Sequence, residues 1–353
     1  MTARPRLRIA LVGFGHVGRR FADLLGGPYR RILRDAGVEP VLTGVATARH
    51  GIAIDGDGID PRRAASLAGR GHSLALLHQG PAIADSLVFV RRVPADVIVE
   101  LTPLDPRRGQ PALDHVRAAL RRGLHVVTAN KGPVAFDLHG LRRLAARKRR
   151  LFLHEGAVMD GAPVFNLVER CLPGARVLGF RGVLNTTTTR ILARLEQGAS
   201  FERALAELQA AGIAEADPRH DLDGWDAAVK ACALANALMG ARLTPDRVRR
   251  RGIAGLDAAR VRAARRSGRR WRLVARATRA GKSVRVTVGP ERLRPDDLLA
   301  SAGADGILVL ETDRMGEIGI WQGESSLEQT AYAVLSDLLT VARGGPRSPA
   351  HQV

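Results

Sequence analysis

The segment "LRIALVGFGHVGRRFADLL", residues 7–25, constrains this chain more than any other stretch. Its apolar opening, broken at once by glycines, reads as a buried strand, then a tight turn, then a helix. "GFGHVG" places glycine at 13, 15 and 18, the G-x-G-x-x-G spacing. The first glycine allows the tight turn, the second lets a pyrophosphate approach the backbone, and the third lets helix and strand pack closely. A pyrophosphate would rest at the helix N-terminus, where free N–H groups and the dipole favour anions. Gly13, Phe14, Gly15, His16, Val17 and Gly18 are therefore expected to bind a dinucleotide. An NAD-type site carries an acid at the end of the second strand, against the ribose 2′-hydroxyl. Here "GVATARHG" (44–51) has Thr47, Arg49 and His50 and no carboxylate. Arg49 suits a 2′-phosphate, so NADP is expected in preference to NAD.

The pattern continues as alternating strands and helices. Strands are expected at 40–47, 95–103 and 124–135, the last running into a loop, and helices at 110–123 and 137–150. That order implies βαβ units and a parallel sheet. The fold expected is α/β, a Rossmann-type dinucleotide-binding domain at 1–135. A second, α+β domain is expected at 136–325. It should contain a strand with a Thr-rich end (175–188), a helix over 221–241, and a hairpin over 271–293 turning at Ala-Gly-Lys. An amphipathic helix over 326–343 should pack back on the first domain, and 344–353 reads as a flexible tail.

Composition narrows the class. Two cysteines, Cys171 and Cys232, cannot form a disulfide framework. No apolar run reaches the ~18–20 residues of a membrane span, and the N-terminus has no signal-peptide pattern. A soluble, cytoplasmic enzyme with a small-molecule substrate is expected. "DGDGID" (55–60) lacks the third ligand and closing glutamate of a calcium loop, and the histidines show no zinc spacing. The net charge is +20, yet only four of the 55 Lys and Arg residues are lysine: 131, 148, 230 and 282. The arginine excess is thus a habit of the whole chain. A retained lysine carries more information, because an ammonium can exchange a proton at ordinary pH and a guanidinium cannot.

Two lysines lie in telling places. Lys131, in "TANKGP", follows a sheet strand, at the end where open α/β sheets bind ligands. Lys230 lies in "DPRHDLDGWDAAVK" (217–230), among four acids. On a helix, Asp226 and Lys230 are i and i+4 and share a face. The residues after Lys230 are nearly all apolar, so this helix is buried, and a buried charge needs partners or a task.

Six stretches together resemble the homoserine dehydrogenase family over nearly the whole chain. They are "GFGHVG", "ELTP", "GLHVVTANKGP", "HEGAVMDGAP", "GVLNTTTTRIL" and "GIAEADPRHDLDGWDAAVK". The resemblance implies NAD(P)-dependent interconversion of L-aspartate 4-semialdehyde and L-homoserine, within aspartate-family biosynthesis of threonine and methionine. It implies catalytic roles for Lys230, Lys131 and Asp226, with Lys230 the proton donor. Glu215 would bind the substrate amino group, with Asp221 and Asp226 nearby, and Thr102, Asn130 and Lys131 would line the cofactor. It further implies a homodimer formed through the second domain. A monovalent cation, usually sodium, would sit on Glu155 and the carbonyls of Val158, Asp160 and Ala162. The short C-terminus implies no regulatory domain. Two departures stand out: Arg190 replaces the family's usual aromatic, and its glycine-rich loop here reads "WQGESS", with Glu324 after Gly323.

Three other readings compete. The chain is a paralogue acting on another amino-acid aldehyde, or a non-catalytic NADP-binding subunit, or a nucleic-acid binder. The last rests on residues 247–279, with thirteen arginines and one acid. Trp271 is the only aromatic there, so the stretch offers no stacking platform.

Overall fold

The computed structural model describes residues 4–281, 283–303 and 306–344. Lys282 of the hairpin turn and all of the expected tail after Gly344 lie outside the described residues. The chain divides into two compact units, residues 1–163 with 326–353, and residues 164–325.

The first unit is built on a six-stranded sheet. Its strands are β1 (Arg6–Val12), β2 (Glu39–Thr47), β3 (Gly51–Ile54), β4 (Val97–Glu100), β5 (His125–Thr128) and β6 (Phe152–Leu153). The order is β3-β2-β1-β4-β5-β6, parallel throughout except for the β2–β3 hairpin. Strand order reverses beside β1, and the crevice beyond the C-terminal ends of β1 and β4 is where such sheets hold ligands. The helices are α1 (His16–Leu25), α2 (Pro28–Asp35), α3 (Pro61–Gly69), α4 (Ser86–Arg92), α5 (Ala112–Arg121) and α6 (Lys131–Lys148). Val97, Ile98 and Val99 are fully buried, as expected of a parallel strand covered on both faces. The C-terminal helix (Leu327–Ala342) is held at its start by a Ser326–Gln329 capping box. Its Val334, Leu335 and Leu338 join Leu11, Phe21 and Leu33 in one core.

Two expectations shift here. Residues 131–135 are not loop but the opening of α6, which bends where Asp137 leaves helical geometry. Gly132-Pro133 reads as a breaker, yet proline in the first turn forfeits no helical hydrogen bond. The division between units falls at Pro163, not at 135, a point inside α6. α6 packs on α5, and β6 beyond it completes the sheet.

In the second unit the strands are β7 (Val177–Val183), β8 (Arg249–Arg250), β9 (Arg270–Ala280), β10 (Ser283–Leu293), β11 (Gly306–Thr312) and β12 (Gly316–Gln322). They run in the order β12-β11-β7-β9-β10-β8, antiparallel except for β8 beside β10. The helices are α7 (Val164–Asn166), α8 (Thr186–Glu196), α9 (Phe201–Ala210), α10 (Arg219–Leu222), α11 (Trp225–Met239) and α12 (Ala258–Arg266). The Thr-rich stretch is helix rather than strand end: Asn185 caps α8, and the Thr188 and Thr189 hydroxyls donate to Asn185 O. α11 begins and ends at glycines in left-handed conformation, Gly224 and Gly240, and packs on β9 and β10. Glu196, Arg272 and Arg270 form an ion cluster, with the Glu196 and Arg272 side chains 2% and 4% exposed. No helix among the described residues is long and apolar enough to cross a membrane.

Candidate active site

The glycine motif and the residues around it lie in the first unit. Gly13 takes φ +92°, and its N–H donates to Ala46 O over 2.9 Å. A Cβ at Gly13 would lie 2.5 Å from Thr102 N, and one at Gly18 would lie 2.6 Å from Gly13 O. Those two glycines serve close backbone approach. Around a Cβ at Gly15 nothing lies within 4 Å, so open space remains at the N-terminus of α1. No side chain caps that helix, and its first turn carries no acid, which leaves its N–H groups suited to an anion. Phe14 is 2% exposed with its side chain in the core, so its main chain alone is left for a ligand. His16 is exposed and Val17 half-buried. Arg49 is exposed in the β2–β3 turn, where its N–H donates to Thr47 Oγ1 at 3.4 Å.

The loops after β4 and β5 are bound to each other. Asn130 caps α6, accepting from Gly132 N at 2.8 Å, while its Nδ2 donates to Thr102 O at 2.8 Å. Lys131 is therefore the first residue of a helix, where the dipole disfavours a cation; helix stability does not explain it. Beneath these residues lies Glu100, wholly buried. The sequence reading quoted it only within "ELTP". The available signal was a carboxylate ending an otherwise apolar parallel strand.

The stretch proposed for a cation is unusual backbone. Met159 and Asp160 take φ +56° and +50° in succession, a conformation that costs non-glycine residues energy and persists where surroundings enforce it. Glu155 is 4% exposed, and its N–H donates to Asp337 Oδ2 at 3.0 Å. Val158 and Ala162 are buried, and Asp160 Oδ1 accepts from Thr330 Oγ1 at 3.4 Å. Among the described residues no three His, Cys, Asp or Glu side chains are grouped to hold a metal, so an ion there would depend on main-chain carbonyls.

The lysine and its acidic cluster lie in the second unit. Lys230 Nζ lies 3.0 Å from Asp226 Oδ2 and donates to Leu184 O at 2.6 Å. The two side chains are 19% and 17% exposed, so both charges are largely withdrawn from water. Asp221 comes from α10, just before α11, and Asn185 joins it to the helix. Its Nδ2 donates to Asp221 Oδ1 at 2.7 Å and to Asp226 Oδ2 at 3.0 Å. A single neutral amide thus bridges two carboxylates that would otherwise repel. Sequence reasoning missed Asn185, because nothing local shows that residue 185 meets residues 221 and 226. Glu215 is exposed and does not enter this network; its carboxylate has no hydrogen bond or ion pair to a described residue. The cluster thus offers one cation beside two carboxylates, a set that can exchange a proton and hold an ammonium.

Comparison with known proteins bears on both units. Residues 13–155 match the family model for the homoserine dehydrogenase NAD-binding domain, and residues 163–339 match the homoserine dehydrogenase model. An NAD(+)-dependent homoserine dehydrogenase from Pseudomonas canavaninivorans is 36% identical over 98% of each chain. The chain belongs to the homoserine dehydrogenase family. A homoserine dehydrogenase from Methanocaldococcus jannaschii is 32% identical over 94% of this chain and 98% of its own. A solved hyperthermophilic archaeal homoserine dehydrogenase in complex with NADPH superposes with TM-score 0.81 at 26% identity, covering 97% of this chain and 99% of its own. Homoserine dehydrogenases are NAD(P)-dependent oxidoreductases acting on a CH–OH group, and this chain is one of them.

The two residues that the resemblance marked as departures, Arg190 and Glu324, lie together. Arg190 Nη2 and Glu324 Oε1 form an ion pair, so the cation that replaces an aromatic meets the acid added after Gly323. Part of the basic run at 247–279 is engaged inside its own unit. Arg276 pairs with Glu291 at 2.9 Å, Arg279 donates to Met239 O at 3.0 Å, and the Arg250 guanidinium lies 3.4 Å above the Trp225 ring. With Arg270 and Arg272 on Glu196, five of the thirteen arginines of the run are held in this way.

Proposed function

We propose that this homoserine dehydrogenase uses Lys230 as its general acid and base and takes NADP in preference to NAD. The observation that carries the reading is the Lys230–Asp226–Asn185–Asp221 cluster. When bound, the nicotinamide would supply hydride chemistry at C4 of L-aspartate 4-semialdehyde or L-homoserine. Lys230 Nζ gives its proton to the aldehyde oxygen in reduction and takes it back in oxidation. Asp226 and Leu184 O orient the ammonium. Glu215 and Asp221, with Asp226, are carboxylates suited to the substrate α-ammonium. Lys131 supplies a second positive charge against the developing alkoxide. Gly13 to Gly18 hold the pyrophosphate with backbone N–H groups, Thr102 and Asn130 line the nicotinamide side, and Arg49 meets the 2′-phosphate. Glu155 and the carbonyls of Val158, Asp160 and Ala162 would hold a monovalent cation. The enzyme works as a homodimer joined through the second unit.

The test is absorbance of the reduced cofactor with L-homoserine and either NADP or NAD, for wild type and Lys230→Ala. Wild type should reduce NADP at the lower KM, and the variant should lose about 10²–10⁴ in kcat while still binding cofactor. Arg49→Ala should raise the KM for NADP and leave that for NAD unchanged. Full activity in Lys230→Ala removes the proposed acid. Cofactor binding without homoserine turnover in wild type would turn attention to other amino-acid aldehydes. Light scattering on the eluting protein reads the dimer.

A further inference from the structure

The buried carboxylate of Glu100 has no part in the reading above. It lies at the last position of β4, with no exposure to solvent. Burying a charge is costly unless its lone pairs are met, and here three donors meet them. Thr102 N donates to Oε1 at 2.9 Å, the Thr102 hydroxyl donates to the same oxygen, and the Thr128 hydroxyl donates to Oε2 at 3.0 Å. The ring closes through Asn130, whose N–H donates to Thr128 Oγ1 at 3.0 Å and whose Nδ2 donates to Thr102 O at 2.8 Å. On the far side His115 Nδ1 lies 3.9 Å from Glu100 Oε1, and its Nε2 is 2.8 Å from Ser86 Oγ.

This arrangement sets the polarity of one hydroxyl. A carboxylate only accepts, so the Thr102 hydroxyl gives its one proton to Glu100. Its oxygen is left with lone pairs and no proton for a ligand. Next to the Gly13 turn, which Thr102 N nearly touches, that oxygen can recognise only a donor.

We propose that Glu100 is a positioning residue that locks Thr102 Oγ1 as an acceptor for a donor group of the nicotinamide nucleoside, its carboxamide N–H or a ribose hydroxyl. The proposal rests on the cofactor assignment made above. Replacing Glu100 with leucine removes the acceptor, so nothing holds the Thr102 proton inward; glutamine would not do this, because its amide oxygen would take the place of Oε1 opposite the two Thr102 donors.

The experiment measures Kd for NADPH, for 2′,5′-ADP, which lacks the nicotinamide nucleoside, and for the reduced 3-acetylpyridine analogue, which lacks the carboxamide N–H. Wild type, Glu100→Leu and His115→Phe are compared. NADPH binding should weaken about three- to tenfold in Glu100→Leu, the range for one hydrogen bond between neutral groups. Binding of 2′,5′-ADP should stay within about twofold. A penalty that vanishes with the acetylpyridine analogue assigns the donor to the carboxamide, and one that persists assigns it to the ribose. His115→Phe disturbs the same buried site without touching Thr102, and should lower Tm while sparing NADPH affinity. Equal losses for NADPH and 2′,5′-ADP in Glu100→Leu, or no loss of either, overturn the proposal. Wild type that binds NADPH without oxidising L-homoserine would sink the substrate assignment and leave this inference standing.

Discussion

Replacing Asn185 tests how the substrate cluster is held together. Its side chain does two jobs. Oδ1 accepts from Thr188 N at 2.9 Å and caps α8. Nδ2 bridges Asp221 and Asp226 at 2.7 and 3.0 Å. Loss of the cap costs about 1 kcal/mol. Each hydrogen bond to a carboxylate adds about 1.5–3 kcal/mol, and the Asp226 side chain is only 17% exposed, so water replaces the amide poorly. Allowing for partial rehydration, Asn185→Ala should destabilise the second unit by about 3 kcal/mol, a fall of about 6–12 °C in Tm. The two acids then repel, the Asp226–Lys230 pair shifts, and kcat/KM for L-homoserine should fall about 10²-fold, as for a catalytic group displaced by ~1 Å. Asn185→Ser separates the jobs, because serine keeps the cap but cannot reach both carboxylates. It should recover about 1 kcal/mol and none of the activity. Thermal melts and steady-state kinetics on the three proteins decide the matter. If Asn185→Ser has wild-type kcat/KM, the bridge is not what positions the acids.

Other outcomes follow from the same geometry. Glu196→Gln leaves Arg272 charged in a site where both side chains are at most 4% exposed; a loss of about 3–5 kcal/mol is expected, and a denaturant midpoint close to wild type would contradict it. Gly13→Ala and Gly37→Ala both place alanine at positive φ, +92° and +94°, but only Gly13 has backbone in the way. Gly37→Ala should cost about 1–2 kcal/mol, while Gly13→Ala should abolish NADPH binding; equal effects in a binding titration would be evidence against the close approach. Burial first, then the Arg150 charge, pushes His125 down from 6.5 to about 4, against the pull of Asp96. Its Nδ1 accepts from Leu151 N at 3.1 Å, a bond that needs the neutral ring. The native state therefore binds fewer protons than the unfolded chain between those values. The stabilisation is complete above 6.5 and drains as pH falls toward about 4. Replacing His125 with phenylalanine should flatten that part of the Tm–pH curve, and an unchanged slope would count against the assignment.

Much of this protein follows from local sequence. The strand, glycine turn and α1 are specified within twenty residues, because apolar continuity and glycine spacing act between near neighbours. The Asp226–Lys230 pair is equally local, since i and i+4 meet on any helix. Where local signals conflict they mislead. The three threonines at 186–188 read as strand, yet the Asn185 cap and the Thr188 and Thr189 hydroxyls, which donate to Asn185 O, make the stretch helix. Gly132-Pro133 reads as a stop, yet a first turn accepts proline.

The features only tertiary structure decides share one physical cause: they join residues distant in sequence through contacts that no periodicity encodes. Asn185 reaches Asp221 and Asp226 because β7 delivers it to the start of α8 beside α11. Glu100 meets Thr128 because β4 and β5 are neighbours in the sheet. Arg190 and Glu324 each look like an isolated departure from the family until the fold pairs them. Sequence determined which chemical groups this enzyme has and which elements carry them. The packing of those elements decided which groups share a proton, a carboxylate or a turn, because burial and hydrogen-bond geometry exist only once distant strands and helices have come together.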